Sequence, residues 1–315
     1  MNDTVLVLSI ASAIVAGTPI LLAALGEIIT ERSGVMNLGV EGMMLVGGVV
    51  GFWAGVNTGS LTLALFLGGM AGVALALVHA VLAVSLRVDQ TVSGLSLVIV
   101  GGGLSAFLGS SGDPSLLQSP NGLDVNPLFP QSLRDLPAVG PIVFGHDIVV
   151  YLAMLATVGA AYFLYRTPSG LSLRAVGEDP AAADAAGLNV VRIRYLATAV
   201  GGLGAGVGGA YLTLAVLGTW QNGVTAGLGW IAVALVILAG WRPGLALLGA
   251  YVFGGLRGLS FTLQLAEVDV PSDFLAMIPF VAAFIVVVAV SANPKRARRV
   301  AAPAALAQPY SREAR

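Results

Sequence analysis

The sequence predicts an all-α, polytopic integral membrane protein with about nine transmembrane helices, an outside N-terminus and a cytoplasmic C-terminus. Composition is the first reason: 57% of the 315 residues are hydrophobic and 10% are charged, with a mean hydropathy of +0.91. One soluble core of this length cannot hide so much apolar surface. The second is a series of apolar stretches long enough for a hydrocarbon core of ~30 Å, which takes roughly 20 helical residues. The third is the placement of basic residues, which fall almost entirely on one side of those stretches. There is no cysteine, so neither disulfides nor thiolate metal sites can hold the fold. The net charge of −1 says nothing about partners; no nucleic-acid partner is expected of a chain built for lipid.

In chain order the apolar stretches cover 5–25, 40–56, 61–86, 94–109, 147–165, 195–217, 226–241, 243–265 and 273–292. The second and fourth are short and rich in Gly, which leaves them open to tilting, breaking or re-entry, so the count runs from eight to ten. If nine spans alternate, Arg32, Arg87, Arg166, Arg174, Arg192, Arg194 and Arg242 share one side with Lys295, Arg296, Arg298 and Arg299. Arg134 alone lies on the other. Basic residues stay cytoplasmic in short loops, which sets the orientation. The start, MNDTV, lacks the basic n-region of a signal peptide, so the first apolar stretch is expected to remain in the mature protein. Residues 1–294 then form one transmembrane domain and 295–315 a basic cytoplasmic tail.

Small residues four apart supply contact ridges between helices, because in lipid the backbones must approach closely to gain packing. Gly47, Gly51 and Gly55 form one; Gly68 with Gly72, Gly202 with Gly206, Gly204 with Gly208, and Gly254 with Gly258 form others. Gly101 and Gly109 make a further ridge through Ser105.

Two connections are long. Residues 110–147 carry Pro114, Pro120, Pro127, Pro130, Pro137 and Pro141, a composition that opposes regular helix and predicts an external loop. Residues 166–194 lie on the cytoplasmic side and contain a short capped helix. Asp179 is its N-cap and Pro180 its first residue; Ala183 and its Ala neighbours favour helix, and Gly187 stops it after Ala186.

An internal echo pairs Gly34, Val35, Leu38, Gly39, Leu45 and Val46 with Gly223, Val224, Leu228, Gly229, Leu235 and Val236, with one gap. By the topology above the first copy enters the membrane from the cytoplasm and the second from outside, the arrangement of an inverted repeat.

Polar residues inside or beside spans are candidates for function. They are Asn37 and Glu41 at the second span, Gln90 and Thr91 before the fourth, and Trp220, Asn222 and Trp230 around the seventh. Neutral hydrogen-bonding groups and aromatics suit an uncharged polar solute, and equally suit contacts between helices. A buried Glu41 needs a cation or several donors, and Arg257 in the eighth span is a candidate partner. Glu27, Glu31 and Arg32 are expected at the wet cytoplasmic interface. His79 and His146 are isolated, no metal-ligand spacing occurs, and no catalytic constellation is present. The chain also lacks a phosphate-binding G-x-x-x-x-G-K-[ST] loop. It is therefore not expected to be an enzyme, least of all an ATPase.

The stretch GEIITERSGVMNLGVEGMMLVGG at 26–48, the loop at 166–194 and the later GGLGAGVGGAYL resemble permease subunits of bacterial ABC importers for nucleosides and simple sugars. That group lies within the wider branched-chain amino-acid and ribose permeases. The resemblance implies an importer subunit in the bacterial inner membrane, with no cofactor on this chain and with ATP and Mg on a separate ATP-binding subunit. It implies a second permease, as a paralogous heterodimer, and an extracellular substrate-binding lipoprotein. It also implies that Gly177, Glu178, Asp179, Pro180, Ala183, Ala186 and Gly187 belong to a coupling helix docked on the ATP-binding subunit. An ion-coupled secondary transporter of a small polar solute is the alternative. It leaves the capped cytoplasmic helix without a task.

Overall fold

Helix formation follows from apolar runs, in which backbone groups must bond within the segment, and from polar caps such as Ser60, Asp89 and Asp147. A computed structural model describes residues 3–111, 116, 122–123, 125–265, 271, 274, 277–291 and 301–312. Lys295, Arg296, Arg298 and Arg299 lie outside that set, as does part of the loop at 110–147. Helix α1 covers Asp3–Arg32, α2 Val40–Thr58, α3 Leu61–Ala80 and α4 Gln90–Ser110. Next come a single turn, α5 (Gln131–Arg134), then α6 (Ile148–Arg166), α7 (Pro168–Glu178) and α8 (Pro180–Ala185). They are followed by α9 (Val190–Tyr211), α10 (Leu228–Leu238), α11 (Pro243–Leu265) and α12 (Ile278–Ser291). Widened π turns at Val81–Ser85 and Leu212–Val216 prolong α3 and α9.

Among the described residues six helices are long and apolar enough to cross a membrane: Leu6–Arg32, Val40–Thr58, Leu61–Ser85, Gln90–Ser110, Ile148–Arg166 and Val190–Val216. Helix α10 is apolar but has only 11 residues, about 16 Å at 1.5 Å per residue, or half a hydrocarbon core.

Helix α9 occupies the centre, packed against α1, α2 and α3, while α1 also packs against α11 and α2 against α4. The predicted glycine ridges are the seams of this packing. A Cβ on Gly47 would stand 2.4 Å from Gly206 Cα, one on Gly72 2.1 Å from Gly202 O, and one on Gly101 2.6 Å from Gly42 Cα. Gly204 and Gly208 likewise meet Leu22 O and Pro19 O of α1, and Gly254 meets Ala13 O. These ridges face other segments of the same chain, helices in every case but Gly109, which meets Trp220. Gly258 is the exception, with nothing within 4 Å of its added Cβ.

The loop at 110–147 ends in a short bridge between Pro127 and Asp147. Asp147 caps α6 through Val149 N–H at 2.8 Å and accepts the Tyr211 hydroxyl at 2.6 Å, which ties this end of α6 to the end of α9.

The connection at 166–194 holds two helices where the sequence pointed to one. Thr167 Oγ1 accepts from Gly170 N–H at 3.0 Å and Pro168 starts α7, both good initiation signals. Gly170 and Gly177 masked it, since glycine disfavours helix in isolation. Here each glycine lets the helix press on backbone: a Cβ on Gly170 would stand 1.9 Å from Phe163 O.

Candidate functional site

Two irregular segments lead into α2 and α10, and a carboxylate joins them. In the first turn of α2, Glu41 is 7% exposed. Its Oε1 accepts from the Thr225 hydroxyl at 2.5 Å and Gly227 N–H at 3.0 Å, and its Oε2 accepts from Gly229 N–H at 2.7 Å. Two of these donors are free amides at the start of α10, where helix geometry leaves N–H groups without partners and concentrates positive potential. The helix N-termini approach so closely that a Cβ on Gly229 would stand 2.5 Å from Glu41 Cα. Of the two ways the sequence left open for a buried Glu41, a cation such as Arg257 or several donors, the structure takes the second, with three donors on the carboxylate.

The lead-in to α2 is held by α1. Asn37, fully buried, donates its backbone N–H to Glu27 Oε1 at 3.2 Å and its Nδ2–H to Glu27 Oε2 at 3.1 Å. Its Oδ1 accepts from Gly39 N–H at 3.1 Å, a local turn that prepares the start of α2. Gln90 Oε1 accepts from Met36 N–H at 2.7 Å. His79 links the same loop to α3 and α4: its Nε2 lies 2.9 Å from Met36 O and its Nδ1 2.9 Å from Ser93 Oγ. A carbonyl can only accept, so Nε2 carries the proton and Nδ1 accepts from the serine.

The expectation that Glu27 to Arg32 sit in water is not met. Glu27 and Glu31 are 0% and 2% exposed. Glu31 accepts from the Trp241 indole N–H, and Arg32 Nη2 donates to the carbonyls of Gly240 and Trp241. The last two turns of α1 thus grip both the lead-in to α2 and the turn between α10 and α11. Buried carboxylates need such donors, since an unmet polar group costs a few kcal/mol, about 1–3 by mutational measure.

The remaining candidates divide. Trp220 is buried against Gly109 of α4, Trp230 is half-buried beside Gly227, and Thr91 and Asn222 are exposed. They do not converge with Asn37, Glu41 and Gln90 on one point. Thr225, the α10 amides, Glu27, Glu31, Trp241 and His79 are the residues the sequence did not assign to the site. The echo around Gly223 was the available signal for Thr225.

At the other end of α7, Asp179 Oδ1 accepts from Ala182 N–H at 2.9 Å, and Pro180 opens α8. The helix closes at Gly187, whose φ is +87°, with Leu188 N–H donating back to Ala183 O at 3.0 Å, a Schellman-type stop. Ala183 packs inward against Val176 and Val190, whereas Ala181, Ala182, Ala185 and Ala186 are exposed. Gly177 is buried and Glu178 exposed. A flat ridge of methyl groups, stiffened at both ends, can seat in a groove of another protein. Among the described residues no group of three His, Asp or Glu side chains could hold a metal ion.

Residues 9–291 match the family described as branched-chain amino acid transport system / permease component. A "Putative glucose ABC transporter permease protein" of Haloferax volcanii is 42% identical over 323 residues, covering 95% of both chains. A guanosine ABC transporter permease protein of Bacillus subtilis is 32% identical, covering 89% of this chain and 91% of its own. A nucleoside ABC transporter permease protein of Lactococcus lactis is also 32% identical, at 88% and 90%. No solved structure matches the chain significantly.

Proposed function

The chain belongs to the branched-chain amino acid transport system permease family, and from that premise we propose that it forms part of the pathway of an ABC importer for nucleosides or simple sugars. It is a transport subunit and a multi-pass protein of the cell membrane; ATP hydrolysis lies on a separate subunit, and the family implies association with a substrate-binding protein. That division of labour removes the need for ion coupling, the alternative raised by the sequence.

The junction of α2 and α10 is the observation that carries the pathway. Helix α10 is too short to cross the membrane, so the irregular residues 217–227 before it descend to the depth of its start. Non-helical backbone is tolerated there only where protein or a water-filled cavity surrounds it. Exposed Gln221 and Asn222 offer neutral donors and acceptors on this segment, which suits solutes rich in hydroxyls. Asn37, Glu41 and Gln90 hold the opposing lead-in in place and act as a gate, with Trp230 beside the start of α10.

Placing α7 and α8 in the cytoplasm agrees with the basic residues around them. There α8 docks on the ATP-binding subunit, which holds ATP and Mg2+; this chain binds no cofactor. A paralogous permease completes the pore. Closure of the nucleotide-bound subunits moves α8, and the motion reaches the gate through packed backbone.

Reconstitution of the chain with its ATP-binding subunit, partner permease and binding protein tests the proposal. ATP-dependent uptake of a labelled nucleoside or hexose is expected. Uptake driven by an ion gradient without ATP would sink it.

A further inference from the structure

Residues 301–312 run across the face that carries α7 and α8. Ala305 N–H donates to Gly177 O at 2.9 Å and Ala307 N–H to Gly34 O at 3.2 Å. Ala304 N–H donates to Glu178 Oε2 at 3.2 Å. Arg194 Nη1 donates to Gln308 O at 3.1 Å, and Arg312 Nε lies 2.9 Å from Asp184 Oδ2. Pro303 and Ala305 are buried, and Tyr310 packs against the cluster of Val176, Ala183 and Val190. A solvated basic tail would make none of these contacts.

These contacts fall on three separate pieces of the chain. One is the end of α7 with α8, the second is the turn at Arg32–Gly34, and the third is the start of α9. The first two also touch directly, since a Cβ on Gly177 would stand 2.1 Å from Arg32 O. Arg194, 1% exposed, bridges turn and tail, because its Nε donates to Ser33 O at 3.3 Å while its Nη1 holds Gln308 O. The contacts are unequal in strength. Arg312 is 79% exposed, so its ion pair contributes little in water. The backbone bonds made by Ala305 and Ala307 beside buried groups are the durable part. Beyond Gly34 the chain passes at once to Met36, Asn37 and Glu41.

We propose that residues 301–312 form a strap that ties α8 to the Arg32–Gly34 turn, so that a displacement of α8 moves the lead-in of α2 as part of the same body. This rests on the reading of α8 as the helix that meets the ATP-binding subunit. The strap is a positioning element and touches no substrate. Without it, α8 and the turn keep the Gly177 contact and the path through α9, where Val190 packs on Ala183 and Arg194 reaches Ser33, and much of the motion at α8 is lost in local bending.

Deleting 301–315 in the full importer is the direct test. The ATP-binding subunit should still co-purify and basal hydrolysis should persist, while solute taken up per ATP hydrolysed falls about tenfold, within the range of coupling energies carried by such contacts. A deleted complex that assembles and keeps the wild-type ratio overturns the strap. A second measurement does not require the deletion to fold. The chain has no cysteine, so Glu178→Cys with Ala304→Cys can be joined by a short bis-maleimide. The cross-link should form equally with and without ATP and leave uptake equal to that of the same double-cysteine variant before cross-linking. A yield that depends on nucleotide, or uptake lost on cross-linking, shows that tail and α7 part during the cycle and overturns the proposal. If the full-length chain fails to retain the ATP-binding subunit, the reading of α8 falls instead, and the cross-link yield still decides whether the strap holds.

Discussion

The two lead-in turns, at 34–40 and at 223–228, open alike and differ in how their polar groups are met. Each begins with a left-handed glycine, Gly34 at φ +88° and Gly223 at +68°. Each then buries a valine, Val35 at 0% and Val224 at 2% exposure. The first is satisfied from its own neighbourhood, with Asn37 folding onto Gly39 and leaning on Glu27. The second has no such side chain and takes its acceptor from the first, through Glu41. An echo in the backbone has thus become an asymmetric interlock in which α10 depends on α2. Its start can move only with Glu41 or by losing three hydrogen bonds.

Glu41→Ala should have the largest effect. It strands the Thr225 hydroxyl and two α10 amides, a cost of about 3 kcal/mol or more for buried donors left unmet. Uptake should fall well beyond tenfold, since about 1.4 kcal/mol already corresponds to a factor of ten. Thermal unfolding and uptake of the purified complex provide the check; wild-type values for both would break the claim that α10 depends on α2.

Asn37→Ala comes next, at about 2 kcal/mol for its local cap and the Glu27 carboxylate left short of a donor. Its loss should loosen the first turn while the Glu41 contacts persist. Fluorescence of Trp230, the indole nearest the α10 start, is expected to change more in Glu41→Ala than in Asn37→Ala. The reverse order would make α1, not α2, the support of α10.

The smallest effects separate the two glycines. Alanine at either site meets a left-handed cost of about 1–2 kcal/mol. Gly223 has nothing within 4 Å of an added Cβ, whereas at Gly34 that Cβ would stand 2.9 Å from Arg194 Nη2 and 3.2 Å from Ala305 O. Gly34→Ala should therefore lower the melting temperature more than Gly223→Ala. Equal shifts would mean that Arg194 and residues 301–312 yield freely.

Much of this was readable in the chain beforehand. The first six apolar runs, the caps at Asp179 and Gly187, and the glycine ridges other than Gly258 depend on local chemistry with fixed periods, and the structure uses these as read. Helix α7 was missed because Gly170 and Gly177 lower helix propensity, and only contact with Phe163 and Arg32 explains their presence. The wet placement of Glu27 and Glu31 failed for a related reason. A charge near a helix end is ordinarily solvated, and the donors that replace water come from Asn37 and from Trp241, which lies 210 residues from Glu31.

The sequence by itself determined that this protein lives in a membrane and is built of helices, because hydropathy, helix caps and small-residue spacing are summed along the chain; its place among permeases came from the resemblance of its motifs. Which polar group meets which was decided only by the tertiary structure. Glu41 is 184 residues from Thr225, and Gly34 is farther still from Ala307. A buried hydrogen bond is a relation between two distant segments, and its energy depends on geometry that neither segment carries alone.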